Sequence, residues 1–76
     1  MAELLAELAR RLVDEPSAVR VETQETEDAI VLRLFVAEDD VGKVIDRQGR
    51  IARALRQIVR AAGGRERRRV LLEIVD

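Results

Sequence analysis

The chain has no cysteine and no histidine among its 76 residues. Without cysteine there is no disulfide framework and no thiolate zinc site. Without histidine it lacks the commonest general base, the usual zinc ligand and any Ser-His or Cys-His nucleophile pair. Phe35 is the one aromatic residue, so a surface that stacks several bases on rings is excluded. No apolar run approaches the ~20 residues that span a bilayer. The opening stretch carries Glu3 and Glu7 inside its apolar pattern, which is wrong for a signal peptide. A cytoplasmic protein with no membrane partner, metal or cofactor is the expectation.

What is present suits a soluble globular domain: 47% of the residues are apolar and 38% charged. A chain of this size makes one domain, residues 1–76, and buries only about 60% of its unfolded surface. The net charge of −1 hides an asymmetry. Residues 1–40 hold eleven acids against four arginines, a net of −7; residues 41–76 hold ten basic residues against four acids, a net of +6. A near-neutral chain can thus present one strongly positive surface to a polyanion. A solvated, salt-bridged surface is the plainer account of the same counts, and position has to decide between them.

Leu4, Leu5, Leu8, Leu12 and Val13 recur at helical spacing and predict a first helix, ended by Asp14-Glu15-Pro16-Ser17. Val19, Val21 and Thr23 alternate with polar residues and predict a strand. The polar turn 25–28 leads to a second, more buried strand over 29–37, rich in β-branched residues. The short turn predicts a hairpin. Glu38, Asp39 and Asp40 complement the start of a short helix reaching Ile45. A longer helix runs from Arg50 to Ala62, with Ile51, Leu55, Ile58, Val59 and Ala62 on one face, and Gly63-Gly64 stops it. Residues 70–75 form a last strand, apolar on both faces. The order α-β-β-α-α-β, with no repeat or linker, predicts an α+β domain: three helices packed against a three-stranded sheet. Leu8, Leu34, Ile45, Leu55, Ile58 and Leu72 are the expected core.

The informative stretch is 41–51. At about 100° per residue, Arg50, Arg53, Gln57 and Arg60 share one quadrant of the long helix, with Arg56 beside them and the apolar face opposite. Lys43 precedes the turn Asp46–Gly49, and Arg47 lies within it. The helix start adds orphan backbone N–H groups and the positive end of the dipole. A phosphate would find fixed donors there with cations on both sides. The competing account is a tight helix-turn-helix whose arginines are merely solvated.

This stretch resembles the KH-domain signature: a short helix ending in Val44-Ile45, a Gly-x-x-Gly-type turn, then a basic helix. The element order is that of type II KH domains. Val41-Gly42-Lys43-Val44-Ile45, Arg47-Gln48-Gly49-Arg50-Ile51-Ala52 and the final residues 70–76 look like the small bacterial single-KH proteins of the KhpA type, over the whole chain. The resemblance implies RNA binding in the bacterial cytoplasm, with a role as RNA chaperone or regulator. It also implies pairing with a larger KH-containing protein. Separately, the last strand, as a sheet edge, and the leucine-rich first helix offer faces for self-association, so a dimer with itself or with such a partner is expected.

KH domains clamp about four single-stranded nucleotides, the turn on the backbone and a groove on the bases. Carried over by resemblance, Asp46, Arg47, Gln48 and Gly49 occupy the turn. Arg50 and Arg53 sit at the groove rim with Lys43 nearby. Val41, Val44 and Ile45 help line the floor, although packing alone is the commoner role of such aliphatics. Gly42 keeps the helix thin where a base approaches.

The departure from the pattern is Asp46, which stands where the first glycine of Gly-x-x-Gly is expected. Its carboxylate can cap the long helix, and it repels a phosphate by about 4 kcal/mol at ~4 Å and an effective dielectric of 20, before screening. Two readings follow: a non-enzymatic single-stranded-RNA-binding module, or an interaction module that keeps the KH fold with weakened RNA affinity. An enzyme is disfavoured, because adjacent carboxylates on a helix do not converge on one site.

Overall fold

In the computed structural model, residues 1–45, 49–64 and 67–75 are described. The elements are α1 (Ala2–Arg10), a 3-10 turn (Pro16–Ala18), β1 (Arg20–Glu25), β2 (Ala29–Phe35), α2 (Glu38–Ile45), α3 (Arg50–Ala62) and β3 (Arg69–Val75). The sheet order is β1-β2-β3. β1 and β2 form the expected hairpin, with Val21 opposite Leu34 and Thr23 opposite Leu32. Thr26 closes its turn: its hydroxyl accepts from the Ala29 N–H at 2.9 Å, and its own N–H donates to the Ala29 carbonyl at 2.8 Å. β3 runs parallel to β2, with Leu72 beside Leu32 and Ile74 beside Leu34. Parallel neighbours need a crossover, and α2 and α3 provide it.

β2 is central and more buried than its neighbour β1, as its near-continuous apolar run predicts. Leu32 and Leu34 point to the helices and join Leu5, Ala6, Ala9, Val19, Val44, Leu55 and Val59 in one core. The opposite sheet face is half-solvated and carries charge. There Arg20 stacks on Phe35, 4.4 Å from the ring centroid, and Arg33 pairs with Glu73 at 3.3 Å.

Three expectations need correction. α1 ends at Arg10 rather than at Asp14. Arg11 and Leu12 donate three residues back, to Leu8 and Ala9, which tightens the last turn and turns the chain toward α2. Leu12, beyond the helix end, is exposed at 42%, and Leu4, within α1, is exposed at 46%. Ile45 and Ile58, expected in the core, are exposed at 42% and 37%. The inner line of α2 is Asp40 and Val44, and Ile45 lies about 100° further round. In α3 the inner line is Ala52, Leu55 and Val59, and Ile58 falls on its flank. Leu34 and Leu55 are buried as expected, and Leu8 and Leu72 are half-buried against the core.

Candidate nucleic-acid interface

The two sides of α2 have different duties. On its inner side Val44 packs in the core and Asp40 is buried, 1% exposed. The Asp40 carboxylate accepts the backbone N–H of Asp14 at 3.1 Å through one oxygen and that of Glu15 at 3.0 Å through the other. One turn on, the Lys43 ammonium donates to the Asp14 carboxylate at 2.6 Å. That hydrogen bond, with the charges of Asp14 and Asp40, holds the Lys43 pKa above its ordinary value. The connection between α1 and β1 is thereby fastened to the back of α2. Lys43, expected among the phosphate contacts, faces this connection.

The outer side of α2 carries Glu38, Val41, Gly42 and Ile45. A Cβ at Gly42 would meet no atom within 4 Å, so the helix presents bare backbone there. Val41, Gly42 and Glu38 form one wall of an open cleft of about 650 Å³, completed by Phe35 and Val36 at the end of β2 and Val75 at the end of β3. That volume lies within the ~300–1,000 Å³ typical of ligand sites.

α3 starts at Gly49, whose φ of 61° and ψ of 29° are left-handed. An L side chain rarely adopts this conformation, so glycine is needed at this point. Its carbonyl accepts the Arg53 N–H at 2.7 Å. Leu55 and Val59 face inward, which leaves Arg53, Arg56 and Arg60 along one flank and Arg50 at the helix start. Arg56 and Arg60 line a second, smaller cleft of about 120 Å³ against Val70, Leu71 and Leu72 of β3. Gly63 lets helix and strand come this close: a Cβ there would lie 2.8 Å from Val70 Cγ2. The two clefts sit at opposite ends of β3, one beside α2 and one beside the basic flank of α3.

Of the predicted site residues, the structure thus places Gly42 in a cleft wall, Ile45 exposed on the same side of α2, Gly49 at the helix start, and Arg50 and Arg53 on α3. Lys43 is on the other side of α2. Asp46, Arg47 and Gln48 lie outside the described residues. Sequence reasoning put Arg56 and Arg60 on the basic ridge and left them out of the site. It saw Glu38 and Asp40 only as partners of the helix dipole. The i, i+4 spacing of Asp40 and Val44 was the available sign that Asp40 turns inward. A third cleft, between α1 and β1, is lined by Glu3 and Glu7 as well as Arg10 and Arg20, a balanced charge that offers a polyanion nothing.

The sequence profile described as "KhpA/KhpB, KH domain" matches residues 2–74. The chain belongs to this KH-domain family. Its fold is therefore the KH fold, and the order α-β-β-α-α-β is the type II arrangement. It is similar to the RNA-binding protein KhpA of Caldanaerobacter subterraneus subsp. tengcongensis, 47% identical over 75 residues that cover 99% of this chain and 100% of the relative. The RNA-binding protein KhpA of Treponema pallidum is 49% identical over 74 residues, covering 97% and 92%. That of Listeria monocytogenes is 38% identical over the full length of both chains. Among solved structures, the chain is similar to Era in complex with MgGDPNP and nucleotides 1506–1542 of 16S ribosomal RNA, with a TM-score of 0.60 and 25% identity. That likeness covers 96% of this chain and 28% of the Era chain.

Proposed function

We propose that this KH domain binds single-stranded RNA without catalysing a reaction, in the bacterial cytoplasm, as an RNA chaperone or regulator. The phosphodiester chain follows segment 46–49 and the arginine flank of α3, and the bases enter the clefts along β3. The observation that carries this reading is the pairing of Arg56 and Arg60 with the apolar edge of β3 in one cleft, continuous in chain position with Arg50 and Arg53. Cations beside an apolar wall suit a ligand with charged backbone and flat, weakly polar bases. The naming of close relatives as RNA-binding proteins supports it, as does the RNA in the Era complex.

Titration with single-stranded RNA at several salt concentrations tests the reading. Arg50→Ala and Arg53→Ala should each weaken binding to many sequences about equally and lower the log–log salt slope by roughly 0.7. Substituting Arg10 and Arg11 of α1 should do much less; equal losses from both pairs would mean diffuse attraction instead of an interface. Asp46 favours the second reading, an interaction module with weakened RNA affinity. Under the first reading Asp46→Gly removes one repulsion, worth about 1 kcal/mol, and tightens RNA binding somewhat under tenfold. Unchanged or weaker binding by a folded glycine variant moves the interaction module to first place.

The expected dimer, with itself or with a larger KH-containing protein, would pair through β3, with the leucine-rich α1 as a second contributing face. β3 is an edge strand, and Leu71 on it is 41% exposed. Sedimentation at micromolar concentration reads this directly: a species of 8.6 kDa alone excludes the homodimer.

A further inference from the structure

We infer that Glu38 makes the cleft beside α2 a guanine-selecting subsite of the RNA interface; the inference rests on the RNA-binding reading above. The other lining residues, Phe35, Val36, Val41, Gly42 and Val75, offer apolar walls and the bare backbone of Gly42. Among the described residues Glu38 is the one charged side chain that lines the cleft; it is exposed and makes no ion pair with any of them. A carboxylate in this position works against binding of a polyanion in general. Stabilising the start of α2 does not require it to be here: Asp39 supplies a charge in the same first turn without lining the cleft.

The chemistry of the bases decides what such a group selects. An ionised carboxylate only accepts hydrogen bonds, through two oxygens side by side. In single-stranded RNA the Watson–Crick edges are open to a protein. On that edge guanine alone presents two adjacent donors, N1–H and the N2 amine, at a spacing that meets both carboxylate oxygens. Adenine and cytosine each place a ring-nitrogen acceptor beside their amine, which faces the carboxylate with like polarity. Uracil places its single N–H between two carbonyl oxygens. A bidentate, charge-assisted pair is stronger and more directional than a neutral hydrogen bond. Glu38 thus gives up some general affinity and gains discrimination.

The test uses the whole chain and short single-stranded oligouridines that carry one central guanosine, inosine, adenosine or cytidine, titrated by fluorescence anisotropy in one buffer. Inosine keeps N1–H and lacks the N2 amine, so it removes one of the two proposed hydrogen bonds. The expected order is guanosine about tenfold tighter than adenosine or cytidine, with inosine between. Glu38→Gln, checked for an unchanged circular dichroism melt, should bring all four within about twofold while binding the adenosine oligomer at least as well as the parent protein does. A parent protein indifferent to the central base, or a Gln variant that keeps the gap between guanosine and inosine, overturns the inference and leaves RNA binding standing. A parent protein that binds none of the oligomers, or that binds an arginine-bearing peptide through Glu38 in their place, overturns both.

Discussion

Asp40 joins two segments that neither residue type nor chain distance would obviously bring together. Both of its oxygens are engaged by backbone N–H groups of the connection after α1, and a carboxylate is the side chain that can accept both at once. Alanine at this position would leave two N–H groups without partners in a partly buried turn. Asp40→Ala should destabilise the domain by about 3 kcal/mol, since hydrogen bonds to charged groups contribute roughly 1.5–3 kcal/mol each. Asp40→Asn, which keeps one acceptor, should lose clearly less. Urea unfolding of the three proteins measures the order, and equal stability of the parent and alanine forms would remove the clasp. Lys43→Ala, at an exposed pair, should leave the midpoint nearly unchanged. In the sequence, three acids in a row read alike as partners of the helix dipole. Their different fates depend on which side of α2 meets the core, and that is set by packing from elsewhere in the chain.

At the scale of elements, the longest periodic segment was the most legible. The bounds of α3, Arg50 and Ala62, are those the periodicity predicts, and its arginines lie away from its apolar side. The width of the buried stripe was less legible. Five apolar positions share a half-cylinder, but full burial is confined to the line through Ala52, Leu55 and Val59, with Ile51 partly buried against the core. Ile58 lies outside the covered strip. Leu55→Ala should therefore cost roughly 2–5 kcal/mol, and Ile58→Ala under about 1 kcal/mol. Thermal unfolding of the two variants separates them; comparable losses would mean that Ile58 is covered in solution. α1 shows the opposite lesson. Leucines at helical spacing continue past Arg10, but the backbone leaves the helix there, since the chain has to bring the N–H groups of Asp14 and Glu15 to Asp40.

For the whole molecule, the separation of charge along the chain carried more information than its sum. Two acids of the first half pair within it among the described residues, Glu7 with Arg10 and Arg11 and Glu22 with Arg20, whereas Asp14 pairs with Lys43 of the second half. Arg68 is drawn to Glu25, across the mouth of the hairpin. Arg56 and Arg60 have no such acid among the described residues and border β3. The fold class, element order and basic flank were open to a reader of the sequence. The clefts were not, because their walls come from residues far apart in the chain: Phe35, Gly42 and Val75 in one, Arg56 and Leu71 in the other.

The parallel pairing of β3 with β2 also sets an order of assembly. The β1–β2 hairpin closes a short turn, an event of about 1–10 μs for hairpins in general. β3 pairs only by closing the much longer loop that contains α2 and α3, with its larger entropic cost. Both clefts have β3 as a wall, so neither exists until this slowest contact forms, and both vanish together when the strand frays. A ligand spanning α3 and β3 would therefore act as a latch on the last piece to arrive, and binding and completion of the fold would draw on the same free energy.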